Sequence, residues 1–105
     1  MGIRPRLLAG ELRRAAANFP VVLLTGPRRA GKTTLLRSAF SRAGYRLLED
    51  PEVVARVRAD PRGFLDEAGT PVILDEVQNT PELLNHVRAR ADRGRGRSCR
   101  WFLTG

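Results

Sequence analysis

One segment has the residue types and the spacing to hold phosphate groups, and it reads Gly26-Pro27-Arg28-Arg29-Ala30-Gly31-Lys32-Thr33. It fits the pattern G-x-x-x-x-G-K-S/T of a Walker A loop in full. Its glycines let the backbone curl, so that N–H groups turn inward and form a nest for a phosphate. A helix that starts at Gly31 would point its positive end at the same phosphates. The segment therefore predicts a site for a nucleoside triphosphate.

Two side chains of this segment are expected to complete the site. Lys32 would reach the β- and γ-phosphates, and the Thr33 hydroxyl would ligate Mg²⁺. Lys32 is the only lysine among 19 basic residues, and it occupies the position where a compact, flexible point charge has to fit between phosphates. The residues predicted to contact the nucleotide are Gly26, Pro27, Arg28, Arg29, Ala30, Gly31, Lys32, Thr33 and Thr34.

A second candidate for chemistry is the acidic pair Asp75-Glu76, which follows the apolar run Val72-Ile73-Leu74. The carboxyl ends of parallel strands form the ligand crevice of a doubly wound sheet. Asp75 would hold Mg²⁺ there, and Glu76 would act as general base on the attacking water. Such a pair also occurs at an ordinary solvated strand end, but the complete phosphate loop upstream favours the catalytic interpretation.

The acidic pair also separates classes of nucleotide enzymes. A GTPase would have D-x-x-G at this place and a guanine-reading N-K-x-D elsewhere, and the chain has neither. A glutamate that activates water suits hydrolysis. A small-molecule kinase stays open as an alternative, although no second substrate site is evident in the sequence.

The elements that position these residues alternate between strand and helix. Helices are predicted over residues 4–17 and 32–43. The helices that begin at Asp50-Pro51 and Asp60-Pro61 each have a capping carboxylate before a proline. A further capped helix is expected from Thr80 to about Asp92, with an apolar stripe of Leu83, Leu84 and Val87. Strands are predicted at residues 21–25, 45–48, 71–75 and 101–104, and the first of them is expected to be buried on both faces. The pattern indicates an α/β fold with a parallel sheet flanked by helices.

Composition sets outer limits on the function. The 105 residues suit one domain, no apolar run approaches the ~18 residues of a membrane span, and the single Cys99 fits a reducing, cytoplasmic location. The net charge of +8 would suit nucleic-acid binding through the arginine-rich segment of residues 88–100. A general preference for arginine over lysine explains the same charge without a nucleic-acid partner.

Five segments together resemble one large bacterial and archaeal family: GPRRAGKTTLLR, LEDPEV, DPRGFL, VILDEVQNTPELL and WFLTG. These are AAA-type ATP-binding proteins with an N-terminal ATPase domain and a nuclease-like C-terminal domain. The resemblance implies that ATP is the nucleotide and that Lys32, Glu76 and Thr104 are catalytic, with Thr104 as the sensor residue facing the γ-phosphate or the attacking water. Gln78 either lines the same pocket or is an exposed loop amide. The resemblance also implies a fourth strand between the first and the third.

Members of this family continue beyond the position of Gly105. The resemblance implies a fifth strand, a helical lid, an arginine finger and a C-terminal domain, so residues 1–105 are expected to be a partial P-loop ATPase domain that ends after its fourth strand. We expect this chain to bind ATP far better than it hydrolyses it. The alternative is a nucleotide-binding module without useful catalysis. Homo-oligomers would form through the regions outside it.

Overall fold

The computed structural model describes residues 5–25, 31–94 and 99–105. Within this part of the chain, four parallel strands form one sheet in the order β1-β4-β3-β2. The strands are Val21–Leu24 (β1), Gly44–Leu47 (β2), Val72–Asp75 (β3) and Trp101–Thr104 (β4). The α/β class, the parallel sheet and the place of the fourth strand between the first and the third are confirmed.

The strand register aligns the carboxyl ends of the strands. Leu24 lies opposite Thr104 across the β1–β4 pair, and Leu47 lies opposite Asp75 across the β2–β3 pair. We call this side of the sheet, where β3 ends at Asp75 and β4 ends at Thr104, the carboxyl edge. Side chains placed at the ends of neighbouring strands are thereby brought together at this edge.

Helices cover the two faces of the sheet unequally. The helices are Pro5–Asn18 (α1), Lys32–Ala39 (α2), Pro51–Ala59 (α3), Pro61–Ala68 (α4) and Pro81–Arg93 (α5), and a short 3-10 turn spans Val77–Asn79. The α1 and α2 helices pack with Ile73 and Phe102 on one face, whereas α3, α4 and α5 pack with the alternating residues of the same two strands on the other face. All residues of β3 and β4 are buried, as expected of central strands covered on both sides.

The capping predictions have mixed outcomes. The Asp50 carboxylate accepts a hydrogen bond from the Glu52 N–H, and the Asp60 carboxylate accepts one from the Gly63 N–H, so both predicted N-caps are confirmed. Thr80 does stand at the N-cap of α5, but its side chain makes no capping hydrogen bond and its hydroxyl is buried without a partner among the described residues. The predicted start of α5 at Thr80 is therefore confirmed, but the predicted side-chain cap is wrong.

Three further predictions need correction. The helix expected over residues 32–43 ends at Ala39, because Phe40 leaves helical geometry and its N–H closes the last turn on the Leu36 carbonyl. The first strand is not buried on both faces: Leu23 is 57% exposed, because β1 is an edge strand in the described sheet and no described helix covers this position. Leu84 is also exposed and lies outside the apolar stripe that Leu83 and Val87 form.

None of the helices in the described parts of the chain is both long enough and apolar enough to cross a membrane.

Candidate functional site

The carboxyl edge of the sheet gathers the charged and polar side chains on which the sequence predictions fall. Asp75 and Thr104 end the two central strands, and Lys32 begins α2, which follows the predicted phosphate loop. All three are buried, at 7%, 1% and 8% exposure respectively. Charged groups are rarely buried without compensation, so this edge is a site where the fold holds ionisable groups for a reason other than packing.

Lys32 lies over the end of β4. Its ammonium donates a hydrogen bond to the main-chain oxygen of Gly105 at 3.0 Å. The residue before it, Gly31, has φ 74° and ψ 21°, a left-handed conformation that glycine adopts without steric cost. The chain can therefore turn sharply into α2 and place Lys32 in the first helical turn. Residues 26–30 of the predicted phosphate loop, namely Gly26, Pro27, Arg28, Arg29 and Ala30, lie outside the described residues.

The Asp75 carboxylate is the most hydrogen-bonded group of the site. The Thr104 hydroxyl donates to Oδ1, and the Tyr45 hydroxyl donates to Oδ2 at 2.6 Å. Thr33 also lies near this carboxylate, and its hydroxyl helps to lower the pKa of Asp75. Burial acts to raise the pKa of Asp75, but the hydrogen bonds outweigh it and hold the pKa below its ordinary value. Asp75 is therefore ionised at neutral pH, as a metal ligand has to be.

Glu76 has an unusual backbone conformation. Its φ of 63° and ψ of 48° place a non-glycine residue in the left-handed region, which is uncommon and energetically costly. The Glu76 N–H donates to the Thr104 hydroxyl at 3.2 Å, so the same hydroxyl that holds Asp75 also fixes this bend. The bend turns the chain from β3 directly into the Val77–Asn79 turn and leaves Glu76 at the carboxyl edge.

Gln78 lies beside Glu76. Its amide donates to the Glu76 carboxylate, and its side-chain oxygen would stand only 2.8 Å from a Cβ built on Gly105. Gln78 is itself exposed, so the structure combines the two alternatives that the sequence left open: an exposed amide that nevertheless touches a predicted catalytic residue.

The residues that are present fit a magnesium site of the kind found with bound nucleotides. Thr33 and Asp75 lie near each other, and they supply a hydroxyl and an ionised carboxylate, the oxygen ligands that Mg²⁺ prefers. No cluster of three or more His, Cys, Asp or Glu side chains occurs among the described residues, so they show no metal site made by such side chains alone. Mg²⁺ commonly takes one or two protein ligands and completes its shell with phosphate oxygens and water.

Sequence reasoning missed one residue of this site, Tyr45. It lies in β2, and its ring packs with the residues of the α1–α2 face. From sequence alone, a tyrosine in a half-buried strand is predicted to be an ordinary core residue. The sequence pattern does not indicate which acceptor its hydroxyl will hydrogen-bond.

The described arginines at the end of the arginine-rich segment, Arg90, Arg93 and Arg100, lie at the opposite edge of the sheet, near the start of β4. Arg95 and Arg97 are outside the described residues, whereas Arg90, Arg93 and Arg100 line a cavity of about 490 Å³ near the start of β4. Arg90 pairs with Asp66 at 2.8 Å. The Arg100 guanidinium lies 4.7 Å from the Trp101 ring centroid and donates to carbonyls in the last turn of α5. This group is therefore spatially separate from Asp75 and Lys32.

A parallel sheet between helices, with a phosphate-loop sequence after the first strand and an acidic pair after the third, defines a P-loop NTPase-like protein. The chain belongs to the AAA domain family, whose model matches residues 18–105. Membership indicates a nucleotide-binding, ATPase-like function.

Two curated relatives match this chain, and their names state no function. They are uncharacterised proteins of Mycobacterium bovis and Mycobacterium tuberculosis, and each is 42% identical to this chain over 94 residues. The matches cover 89% of this chain and 21% of each relative, so the chain spans about a fifth of their length. No solved structure matches the chain significantly.

The Tyr45–Asp75 hydrogen bond predicts an altered titration of the only tyrosine in the chain. Burial, followed by the hydrogen bond and the charge of Asp75, raises the pKa of Tyr45 from 10.0 to about 12. The folded state thus favours the neutral phenol, so this stabilisation is complete below pH 10 and is lost as the pH rises through about 12. Ultraviolet absorbance of tyrosinate, measured without nucleotide, should show little ionisation at about pH 11 in the folded chain and extensive ionisation in urea.

The urea sample serves as the control for the unperturbed phenol. Half-ionisation of the folded chain near pH 10 would contradict the burial and hydrogen bonding described for Tyr45.

Proposed function

We propose that this chain binds Mg-ATP at the carboxyl edge of the sheet and hydrolyses its γ-phosphate slowly. The observation that carries the proposal is the buried, hydrogen-bonded Asp75 carboxylate at the carboxyl edge, with Thr33 near it and Lys32 at the end of β4. Three residues from two separate sequence motifs thereby meet in one place. An ordinary solvated strand end would not require a buried carboxylate that receives several hydrogen bonds.

Each residue has a role suited to its position. Lys32 would exchange its contact with the Gly105 oxygen for contacts with the β- and γ-phosphates. Thr33 and Asp75 would hold Mg²⁺, which when bound neutralises charge on the phosphate oxygens. Glu76 would accept a proton from the attacking water. Thr104, as the predicted sensor residue, would report the state of the γ-phosphate to the Asp75 carboxylate and the Glu76 backbone, both of which its hydroxyl contacts.

Lys32 should be essential for the response of the protein to nucleotide. Mg-ATP at 100 times its dissociation constant should stabilise the folded chain by about 2.7 kcal/mol, and Lys32→Ala should abolish most of this gain, because it removes the cation assigned to the β- and γ-phosphates. Thermal melts of each variant with and without Mg-ATP measure the difference. Glu76→Gln should keep the upward shift while phosphate release falls, since it removes the base and leaves the phosphate contacts.

Arg42→Ala provides the matched control, because it removes an exposed cation from the turn that follows the same helix. It should keep the wild-type shift. An equal upward shift for wild type and Lys32→Ala would contradict the proposed phosphate site.

The basic group of Arg90, Arg93 and Arg100 favours a second candidate, binding of nucleic-acid phosphates at the opposite edge of the sheet. The supporting observation is the cavity that these three side chains share. The competing explanation is structural, because Arg100 closes the carboxyl end of α5 and Arg90 pairs with Asp66. Arg93 is exposed and is therefore the best probe of a binding role.

Salt dependence separates these two explanations. If the edge binds single-stranded DNA, fluorescence anisotropy should show log affinity falling with log salt by about 0.7 per phosphate contact, and Arg93→Ala should reduce the slope by about one contact. Arg58→Ala is the control: it removes an equal charge from α3, where Arg58 faces Glu82 and lies outside the cavity. Absent or salt-insensitive binding would eliminate this candidate.

A further inference from the structure

Tyr45 reaches Asp75 from the neighbouring strand because of the β2–β3 register. Tyr45 pairs with Ile73, and Leu47 pairs with Asp75, so Tyr45 and Asp75 are diagonal neighbours on the same face of the sheet. The long side chain of Tyr45 spans this diagonal, as its hydrogen bond to Asp75 shows. The phenol extends towards the carboxyl edge and donates to Asp75 Oδ2 at 2.6 Å, a short bond of the kind expected when the acceptor is an ionised carboxylate.

The ring that carries this hydroxyl is held from two sides. It packs against the buried cluster on the α1–α2 face, which includes Leu36 and Phe102. The Arg37 guanidinium of α2 lies 4.6 Å from its centroid, within the range of a cation–π contact. These ring contacts therefore fix the position of the hydroxyl independently of its hydrogen bond to the carboxylate.

The two flanking strands hold opposite oxygens of one carboxylate. Tyr45 of β2 donates to Oδ2, and Thr104 of β4 donates to Oδ1. An ionised carboxylate accepts about four hydrogen bonds, so these two occupy only part of its capacity. Rotation of the Asp75 side chain would break one or both bonds, and the orientation of its remaining lone pairs is thereby set.

Thr33 cannot fix this orientation by itself. It lies near enough to Asp75 to lower the pKa of that carboxylate, but in the proposed function its hydroxyl oxygen is a ligand of Mg²⁺, so its relation to Asp75 would be open to change when the metal is bound. Neither Tyr45 nor Thr104 is a proposed ligand of the metal, so their hydrogen bonds to Asp75 can remain when Mg²⁺ is bound.

We propose that Tyr45 is a positioning residue for the metal site, whose hydroxyl holds the Asp75 carboxylate in the orientation that receives Mg²⁺. The inference rests on the proposed Mg-ATP function and extends it to a residue outside both sequence motifs. Tyr45 acts through Asp75 and touches neither nucleotide nor metal.

The test is a magnesium titration of Tyr45→Phe in the 105-residue chain, with the non-hydrolysable ATP analogue AMP-PNP at fixed concentration and its binding followed by calorimetry. Tyr45→Phe keeps the ring and its contact with Arg37 and removes only the hydroxyl. The Mg²⁺ concentration for half-maximal enhancement of AMP-PNP binding should rise about 10-fold or more, the usual loss when a group that orients a metal ligand is removed. AMP-PNP affinity in EDTA should stay at the wild-type value.

Two further variants separate positioning from stability. Phe40→Leu disturbs the Phe40–Phe102 ring contact in the same cluster without touching Asp75, so it should lower the melting temperature and leave the magnesium requirement unchanged. Arg37→Ala loosens the Tyr45 ring but keeps its hydroxyl, so it should raise the magnesium requirement by a smaller factor than Tyr45→Phe. It also keeps the inference testable if Tyr45→Phe does not fold.

The failures of the two proposals look different. If wild type responds to Mg²⁺ and Tyr45→Phe or Arg37→Ala responds at the same concentration, the positioning role of Tyr45 is overturned and the proposed function stands. If wild-type binding of AMP-PNP is absent or indifferent to Mg²⁺, the proposed function is overturned and the role of Tyr45 falls with it.

Discussion

A carboxylate buried at the end of a central strand is stable only if its neighbours supply hydrogen bonds, and Asp75 meets this condition through side chains on both flanking strands. Tyr45 comes from β2 and Thr104 from β4. An isolated buried charge costs several kcal/mol or more, and a satisfied one costs far less. The strand order β1-β4-β3-β2 is therefore part of the chemistry, since only a central β3 can receive a hydroxyl from each side.

The rest of the site follows from the same arrangement. Thr104 serves two groups at once, because its hydroxyl donates to Asp75 and accepts the Glu76 N–H. That second bond helps to hold Glu76 in a left-handed conformation that a non-glycine residue seldom adopts. The surrounding hydrogen bonds offset the conformational energy cost of this bend. The bend places Glu76 one residue beyond the buried carboxylate. Lys32 lies at the same edge, at the start of α2. The carboxyl edge therefore holds a positive charge from α2 and the negative charge of Asp75 from β3.

The sequence predicted the features that depend on residues close together in the chain, such as strands and helix caps. It did not predict burial and hydrogen bonds that depend on packing between distant elements. The buried strands at Val72–Asp75 and Trp101–Thr104 are continuous apolar runs, and Asp50 and Asp60 cap helices through contacts two or three residues away. Leu23 and Leu84 were wrongly placed in the core, because an apolar residue type does not show whether another element covers it. The partner of Tyr45 lies 30 residues away, and only the β2–β3 register brings the two together. Family resemblance, and not residue pattern, supplied the place of the fourth strand.

The most direct test of the account locates the metal itself. With Mn²⁺-ATP in place of Mg-ATP, paramagnetic broadening in an amide NMR spectrum should be strongest at residues around Thr33 and Asp75. It should be weak near Arg90 and Arg100 at the opposite edge, because paramagnetic broadening falls steeply with distance from the metal. Broadening centred at the opposite edge, or none that depends on ATP, would contradict the assignment of the carboxyl edge as the nucleotide site.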